Sequence, residues 1–256
     1  MKTKLFLSLF LFAISFSLIA QDDNTNNNLR PKAGDKSFEV DFLPFSQDGP
    51  IRLTALRGRY FIQDQIAINL NINFSNKKLH NETPYVRDDY MLFDTEDAKT
   101  NVFGIGLGIE YHFLKTGRVS PYAGFQIGFE MKSSSYESLN NHYENYGDSF
   151  TTTETEIENA WGYSQYGYDQ YGNPYYYTGI QERAYNAFKA NLVLGADVYI
   201  LKHFYMGVEL GLGYSNLNFK EVIVKEDSNI ELKFPKATES NFGFVYNNAI
   251  RLGFWF

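Results

Sequence analysis

The chain has 256 residues, no cysteine, 18% aromatic side chains and a formal charge of −7. That length suits one or two domains, and the lack of a composition break favours one. Mild acidity argues against nucleic acid as a partner, and the absence of cysteine excludes disulfides, thiol chemistry and a lipoprotein anchor.

Residues 1–20, MKTKLFLSLFLFAISFSLIA, place Lys2 and Lys4 before an apolar run. This is the layout of a signal peptide, with Ala20 as its cleavage point. A membrane-anchoring helix is the alternative. The run is short for a span, and QDDNTNNN behind it carries no positive stop-transfer flank. Residues 21–36 read as a flexible tail of the mature protein, and no later segment is long and apolar enough for a transmembrane helix.

From there the signal is alternation with a period of two. It predicts eight strands, near 37–45, 51–62, 65–75, 101–114, 120–133, 185–201, 204–219 and 241–256. One parity is almost purely apolar: Phe103, Ile105, Leu107, Ile109, Tyr111 and Phe113 in the fourth strand, and Met206, Val208, Leu210, Leu212 and Tyr214 in the seventh. The other parity carries glycine, amides and charges, as in Gly104, Gly106, Gly108 and Glu110. Short connections at Gln63–Asp64, KTGR and LKH face long polar loops at 76–100, 134–184 and 220–240; the first hairpin, around SQDGP, is the one short member of that second set.

An even strand count with short turns at one end and long loops at the other is the plan of an antiparallel up-and-down transmembrane β-barrel. Strands of about 9–11 residues cross a bilayer when tilted. A soluble lipocalin-like barrel alternates too, with its apolar side inward. The signal peptide, the inequality of the two ends and the glycine-rich polar face all favour the membrane barrel over 37–256. Tyr60, Phe61, Tyr111, Phe113, Tyr122, Tyr199, Phe204, Tyr205, Trp255 and Phe256 gather at the short-turn end and read as an interfacial aromatic girdle. The closing run FGFVYNNAIRLGFWF keeps the apolar stripe to its last residue, as a strand that completes the barrel at the lipid interface would.

The segments SFEVDFLPF, ALRGRYFI with QIAINLNINF, NVFGIGLGIEYHF, SPYAGFQIGFE and the aromatic C-terminus resemble the small outer-membrane β-barrel proteins of Gram-negative bacteria. The chain is most similar to the kind common in the Bacteroidetes and related in plan to the transmembrane domain of OmpA. The resemblance implies residence in the cell outer membrane, contact with outer-membrane lipid and lipopolysaccharide, and handling by the barrel-assembly machinery. Ile250, Leu252, Phe254 and Phe256 match the C-terminal signal read by that machinery, with Asn248 interrupting the stripe. No peptidoglycan-binding domain follows the barrel, unlike full-length OmpA.

The inward parity carries Glu39, Asp41, Arg57, Arg59, Glu110, Glu130, Lys132, Lys189, Asp197, Glu209 and Arg251. Isolated charges there would cost several kcal/mol each, so mutual pairing is expected. Such a network plugs a barrel of this size; a narrow pore for ions or small solutes is the alternative.

Chemistry-bearing motifs are scarce. GIGLG lies within a strand, opens no helix and lacks a dinucleotide-binding spacing. His80 and His142 fall in long loops and His112 and His203 near short turns, with no His-x-Ser or HExxH pairing. Neither an enzyme, a metal nor a cofactor is expected. The segment 134–184 contains WGYSQYGYDQYGNPYYYTGI, where Trp161, Tyr163, Tyr166, Tyr168, Tyr171, Tyr175, Tyr176 and Tyr177 stand among Gly, Gln and Asn. Tyrosine offers large contact area at small entropic cost, as in binding loops. The segment is read either as an extracellular contact element for a glycan, lipopolysaccharide or envelope protein, or as a loop folded over the barrel mouth. The functional expectation is a structural and surface-interaction role in the outer membrane, with a pore or a subunit of a larger export or uptake complex as alternatives.

Overall fold

The computed structural model describes residues 29–46, 49–87, 90–114, 116–144, 149–161, 164–168, 174–178, 180–227, 230–246 and 250–256. All regular structure within them is strand: β1 (Lys36–Ser46), β2 (Gly49–Gln63), β3 (Ile66–Arg87), β4 (Tyr90–His112), β5 (Val119–Glu144), β6 (Ser149–Glu158), β7 (Ser164–Tyr168), β8 (Pro174–Thr178), β9 (Tyr185–Leu201), β10 (Phe204–Phe219), β11 (Val222–Glu226), β12 (Ile230–Phe234), β13 (Ala237–Tyr246) and β14 (Ile250–Trp255). The residues read as a signal peptide lie outside this set.

The antiparallel ladders form a ring. β1 pairs with β2, β2 with β3, β3 with β4, β4 with β5, β5 with β9, β9 with β10, β10 with β14, and β14 with β1 again. Closure leaves the membrane-level strands without a free edge, which lipid requires because it offers no hydrogen bonds. β13 continues along the upper part of β10, from Leu210↔Tyr246 to Phe219↔Ala237.

The count differs from the expected eight: the sheet holds twelve strands, and β7 and β8 form a separate hairpin. The added members are β6, β11 and β12, while β13 and β14 share the place of the last expected strand. Much of what reads as loop is also strand. The ladder between β3 and β4 runs to Arg87↔Tyr90, through the described residues of 76–100. β5 branches: its lower half pairs with β9, and from Ser135 upward it pairs with β6, which pairs with β11 and then β12. The physical reason is that a ladder satisfies the backbone whatever the side chains are. Once both faces meet water, apolar alternation lapses although the strand continues.

The apolar parity faces outward. Leu107 is 59% exposed and Phe244 74%, with Phe38, Ile68, Phe125, Leu194 and Val208 exposed around the ring. Charged and amide side chains fill the inside. With about 3.3 Å of rise per residue, 22-residue β3 extends about 70 Å, or about 50 Å when tilted by 45°, against a hydrocarbon core of about 30 Å. Its upper third therefore stands clear of lipid. Placing a cation in the middle of the apolar belt, as in Leu107→Arg, is expected to cost about 2–4 kcal/mol in vesicles. Equilibrium refolding from urea would measure it, and a cost near zero would contradict lipid contact at that position.

Above the belt the sheet builds a small core of the kind seen in soluble proteins. Ala98, Tyr136, Ile157, Ala160, Trp161 and Val222 are buried together, with Leu79, Ile180 and Val224 against them. On its outer surface His80 lies 2.9 Å from Asp97 and 3.2 Å from Glu82. Hydrogen bonds to Asp97 and then Glu82 raise its pKa above the usual histidine value. A raised folded pKa means that the contribution of these pairs is full below the ordinary histidine value and is lost as pH climbs through the raised one. The imidazole titration followed by NMR should have its midpoint above that of free histidine, and Asp97→Asn should bring it down.

Residues 29–36 of the expected tail make specific contacts with the barrel. Leu29 packs on Tyr199, Tyr205 and Trp255, and the Arg30 guanidinium donates to Thr116 O (3.2 Å) and to Ser120 Oγ. Gly34 N then donates to Phe61 O (2.8 Å), leading the chain into β1 along the short-turn end. Residues 21–28 lie outside the described part.

Candidate functional site in the lumen

Strand register decides which charges meet. Glu39 on β1 stands opposite Arg57 on β2 and Gly253 on β14, Asp41 opposite Arg251, and Ser37 opposite Arg59. Because inward residues recur every second position, each strand delivers its charge to a common level.

Arg59 occupies the centre. Its Nε lies 3.0 Å from both Glu39 Oε1 and Glu110 Oε2, and its Nη1 lies 2.7 Å from Asp197 Oδ2. Arg57 Nη1 reaches Glu209 Oε2 at 2.9 Å and Glu110 Oε1 at 3.4 Å. Arg251 bridges Glu39 (3.2 Å) and Glu209 (3.4 Å), with Asp41 at 4.0 Å. Glu39, Glu110 and Asp197 are 0% exposed, and the three guanidiniums are buried as well.

Five carboxylates thus face three guanidiniums, and neutral donors serve the surplus. Tyr122 OH donates to Glu209 Oε2 (2.8 Å), Asn69 Nδ2 to Glu110 Oε1 (2.7 Å), and Tyr205 OH to Glu39 Oε1. The rings also lie beneath the cations: Arg59 Cζ is 5.5 Å from the Tyr122 centroid and 5.8 Å from that of Tyr205. Such contacts favour a desolvated guanidinium. Glycine makes room for the rings, since a Cβ on Gly195 would collide with Tyr122 and one on Gly253 with Tyr205.

Of the eleven charges expected on the lumen face, eight form this network. The other three sit higher. Lys189 Nζ pairs with Glu130 Oε1 at 2.8 Å, and Tyr185 OH and Asn73 Nδ2 donate to the same carboxylate at 2.8 and 3.2 Å. Lys132 Nζ pairs with Glu182 Oε2 at 2.5 Å. The level of a charge along its strand, which shear offsets from one strand to the next, separates the two groups.

The aromatic girdle needs correction. Tyr60, Tyr111, Phe113 and Phe256 are exposed on the outside, but Phe61, Tyr122, Tyr199, Tyr205 and Trp255 are buried inside the ring. Parity carried that signal: each of the five shares its strand's parity with an inward charge, such as Tyr199 with Asp197 and Trp255 with Arg251. His112 was legible in the same way, two residues beyond Glu110.

At the floor, His112 Nδ1 lies 2.8 Å from Ser120 Oγ, and His112 Nε2 lies 3.7 Å from Glu110 Oε2. A Ser–His pairing invisible in the linear sequence therefore exists. It is no hydrolase site as it stands: Ser120 is fully buried, its oxygen accepts from Arg30, and Glu110 belongs to the two arginines. Among the described residues no group of three His, Asp or Glu side chains is placed to hold a metal ion.

Polar groups within and apolar groups without, on a closed antiparallel ring, form an inside-out protein. The model of the outer membrane protein beta-barrel domain matches residues 6–247. The chain belongs to that family. It is an integral outer-membrane β-barrel protein located in the outer membrane. No curated protein matches it.

Within this outer-membrane barrel the remaining expected site residues are placed as follows. Trp161 is not a surface contact: it is 4% exposed in the core above the mouth, its Nε1 donating to Thr100 Oγ1 (2.7 Å). The bulk and single donor of an indole fit a core with one waiting hydroxyl. Tyr163 and Tyr171 lie outside the described residues. Tyr166 and Tyr168 lie on β7, and Tyr175, Tyr176 and Tyr177 on β8, two strands paired only with each other. Phe254 and Phe256 are exposed on the outer face of β14 and just beyond it, with Ile250 and Leu252 half-buried on the same parity.

Proposed function

We propose that this outer-membrane protein is an eight-stranded transmembrane barrel, with β13 and β14 serving as one last strand, and that its lumen is closed by the charge network. Its role is structural and interactive rather than catalytic. The observation that carries this reading is the sealing of Arg59 among Glu39, Glu110 and Asp197, with no water-exposed surface left on the three carboxylates. A path along the axis would have to part these pairs. Leu29 and Arg30 add a second layer beneath.

The β7–β8 hairpin, rich in tyrosine, is the contact element in this reading; the chain on either side of it meets at the Trp161–Gln181 bridge. Its partners are lipopolysaccharide sugars or another envelope protein. Ile250, Leu252, Phe254 and Phe256 serve as the assembly signal, and residues 1–20 as the signal peptide that delivers the chain. Single-channel recording of refolded protein is expected to show a flat baseline. Reproducible conductance steps would instead favour the narrow pore and defeat the closed-lumen reading.

A further inference from the structure

Among the inward glycines of GIGLG, Gly104 and Gly108 make room for the side chains of Asn73, Asn69 and Gln126, whereas Gly106 borders open space. Where Gly106 and Gly128 face the axis, above Arg57 and Glu209, the lumen opens into a cavity of about 350 Å³. That is well above the room one water needs, so the space admits several waters or a small solute. Its floor is the charge network and its upper wall the Glu130–Lys189 pair. Lys189 keeps 38% of its side chain exposed, so solvent reaches this level although it is excluded below.

The chemistry of the lining is specific. Asn71, Asn73, Gln126 and Asn191 line the chamber between the two ionic levels. Arg57 and Lys189 are each engaged by a carboxylate, at 2.9 and 2.8 Å. An ionic ligand would have to compete with one of these pairs, and that of Arg57 is buried. Neutral hydrogen-bonding groups remain open. The side-chain amide of Asn191 meets no partner among the described residues, and Gln126 uses only its Nε2, at 3.4 Å from Glu209 Oε1. Amides that offer both donors and acceptors suit hydroxyl groups, which also do both.

From the chamber we infer that the lumen is a blind cup that binds a small, uncharged, hydroxyl-rich solute of about monosaccharide size, against Asn191 and Gln126. This is independent of any role of the tyrosine hairpin, and a closed floor is compatible with it.

The test uses full-length mature protein refolded in detergent micelles, with glucose as the neutral probe and glycine as the zwitterionic one. Saturation-transfer NMR is expected to show transfer to glucose that exceeds a micelle control and exceeds transfer to glycine. Asn191→Leu keeps the side-chain shape and removes both polar groups, so glucose binding should weaken about tenfold while the unfolding midpoint holds. Asn191→Ala serves as the second variant should leucine disturb folding. Glucose transfer no greater than in micelles alone would overturn the inference, as would equal transfer in a folded Asn191 variant. Glycine outcompeting glucose would overturn the neutral-solute assignment.

Discussion

Arg59→Ala is expected to lower the unfolding free energy by about 3–5 kcal/mol, the range seen when one partner of a buried ion pair is removed. The substitution takes from Asp197 its guanidinium partner and leaves Glu39 to Arg251 and Glu110 to Arg57, all three carboxylates without solvent around a vacated centre. It also takes the cation from between the rings of Tyr122 and Tyr205. Arg251→Ala should rank next, because Tyr122 OH remains a donor for Glu209. Arg57→Ala should cost least of the three, since Arg57 borders the chamber, where water can enter and screen what is left. Urea unfolding in vesicles, followed by tryptophan fluorescence, measures all three. An Arg59→Ala midpoint indistinguishable from wild type would show that the network contributes no stability.

Trp161→Ala is the second large effect, and it is expected to stay local. Deleting a buried indole costs about 3–5 kcal/mol, here in a core built from Ala98, Tyr136, Ile157, Ala160 and Val222. The lost indole also leaves Thr100 Oγ1 with Ser134 Oγ at 3.4 Å in place of its 2.7 Å donor, and removes the ring beneath Lys77 (5.2 Å). Sheet above the membrane can open without disturbing ladders in lipid, so limited proteolysis should cut 134–184 in the variant and spare it in wild type. Trp255 is the only other tryptophan, so its urea transition in the variant reports the barrel alone and should not move. A shift of that transition would mean that the upper core and the barrel unfold as one unit.

The ring of strands was legible because lipid enforces alternation. Where one face must be apolar and the other lines a lumen, a strand such as 101–114 can be read residue by residue. Legibility failed in both directions away from that condition. Above the membrane, Lys78, His80 and Glu82 carry no apolar rhythm, and the strand there reads as a loop. At the floor, aromatic character masks parity, so Tyr122, Tyr199 and Tyr205 read as interfacial although each stands in step with an inward charge. The lumen charges could be named from parity. That Arg59, rather than Arg57, would be their hub depends on shear and side-chain reach, which pairwise alternation does not encode. Arg30 could not be found this way, because it joins the tail to the wall through the third dimension alone, whereas Ser120 and His112 flank the KTGR turn of a single hairpin.

The seating of Leu29 and Arg30 bears on the order in which the molecule is built. Arg30 binds Thr116 across 86 residues, and Leu29 rests on side chains from β9, β10 and β14. That resting place does not exist until the last strand has joined the first. The earliest of the described residues are therefore among the final ones to find their contacts, and a cork of this kind closes the short-turn end only after the wall around it is complete.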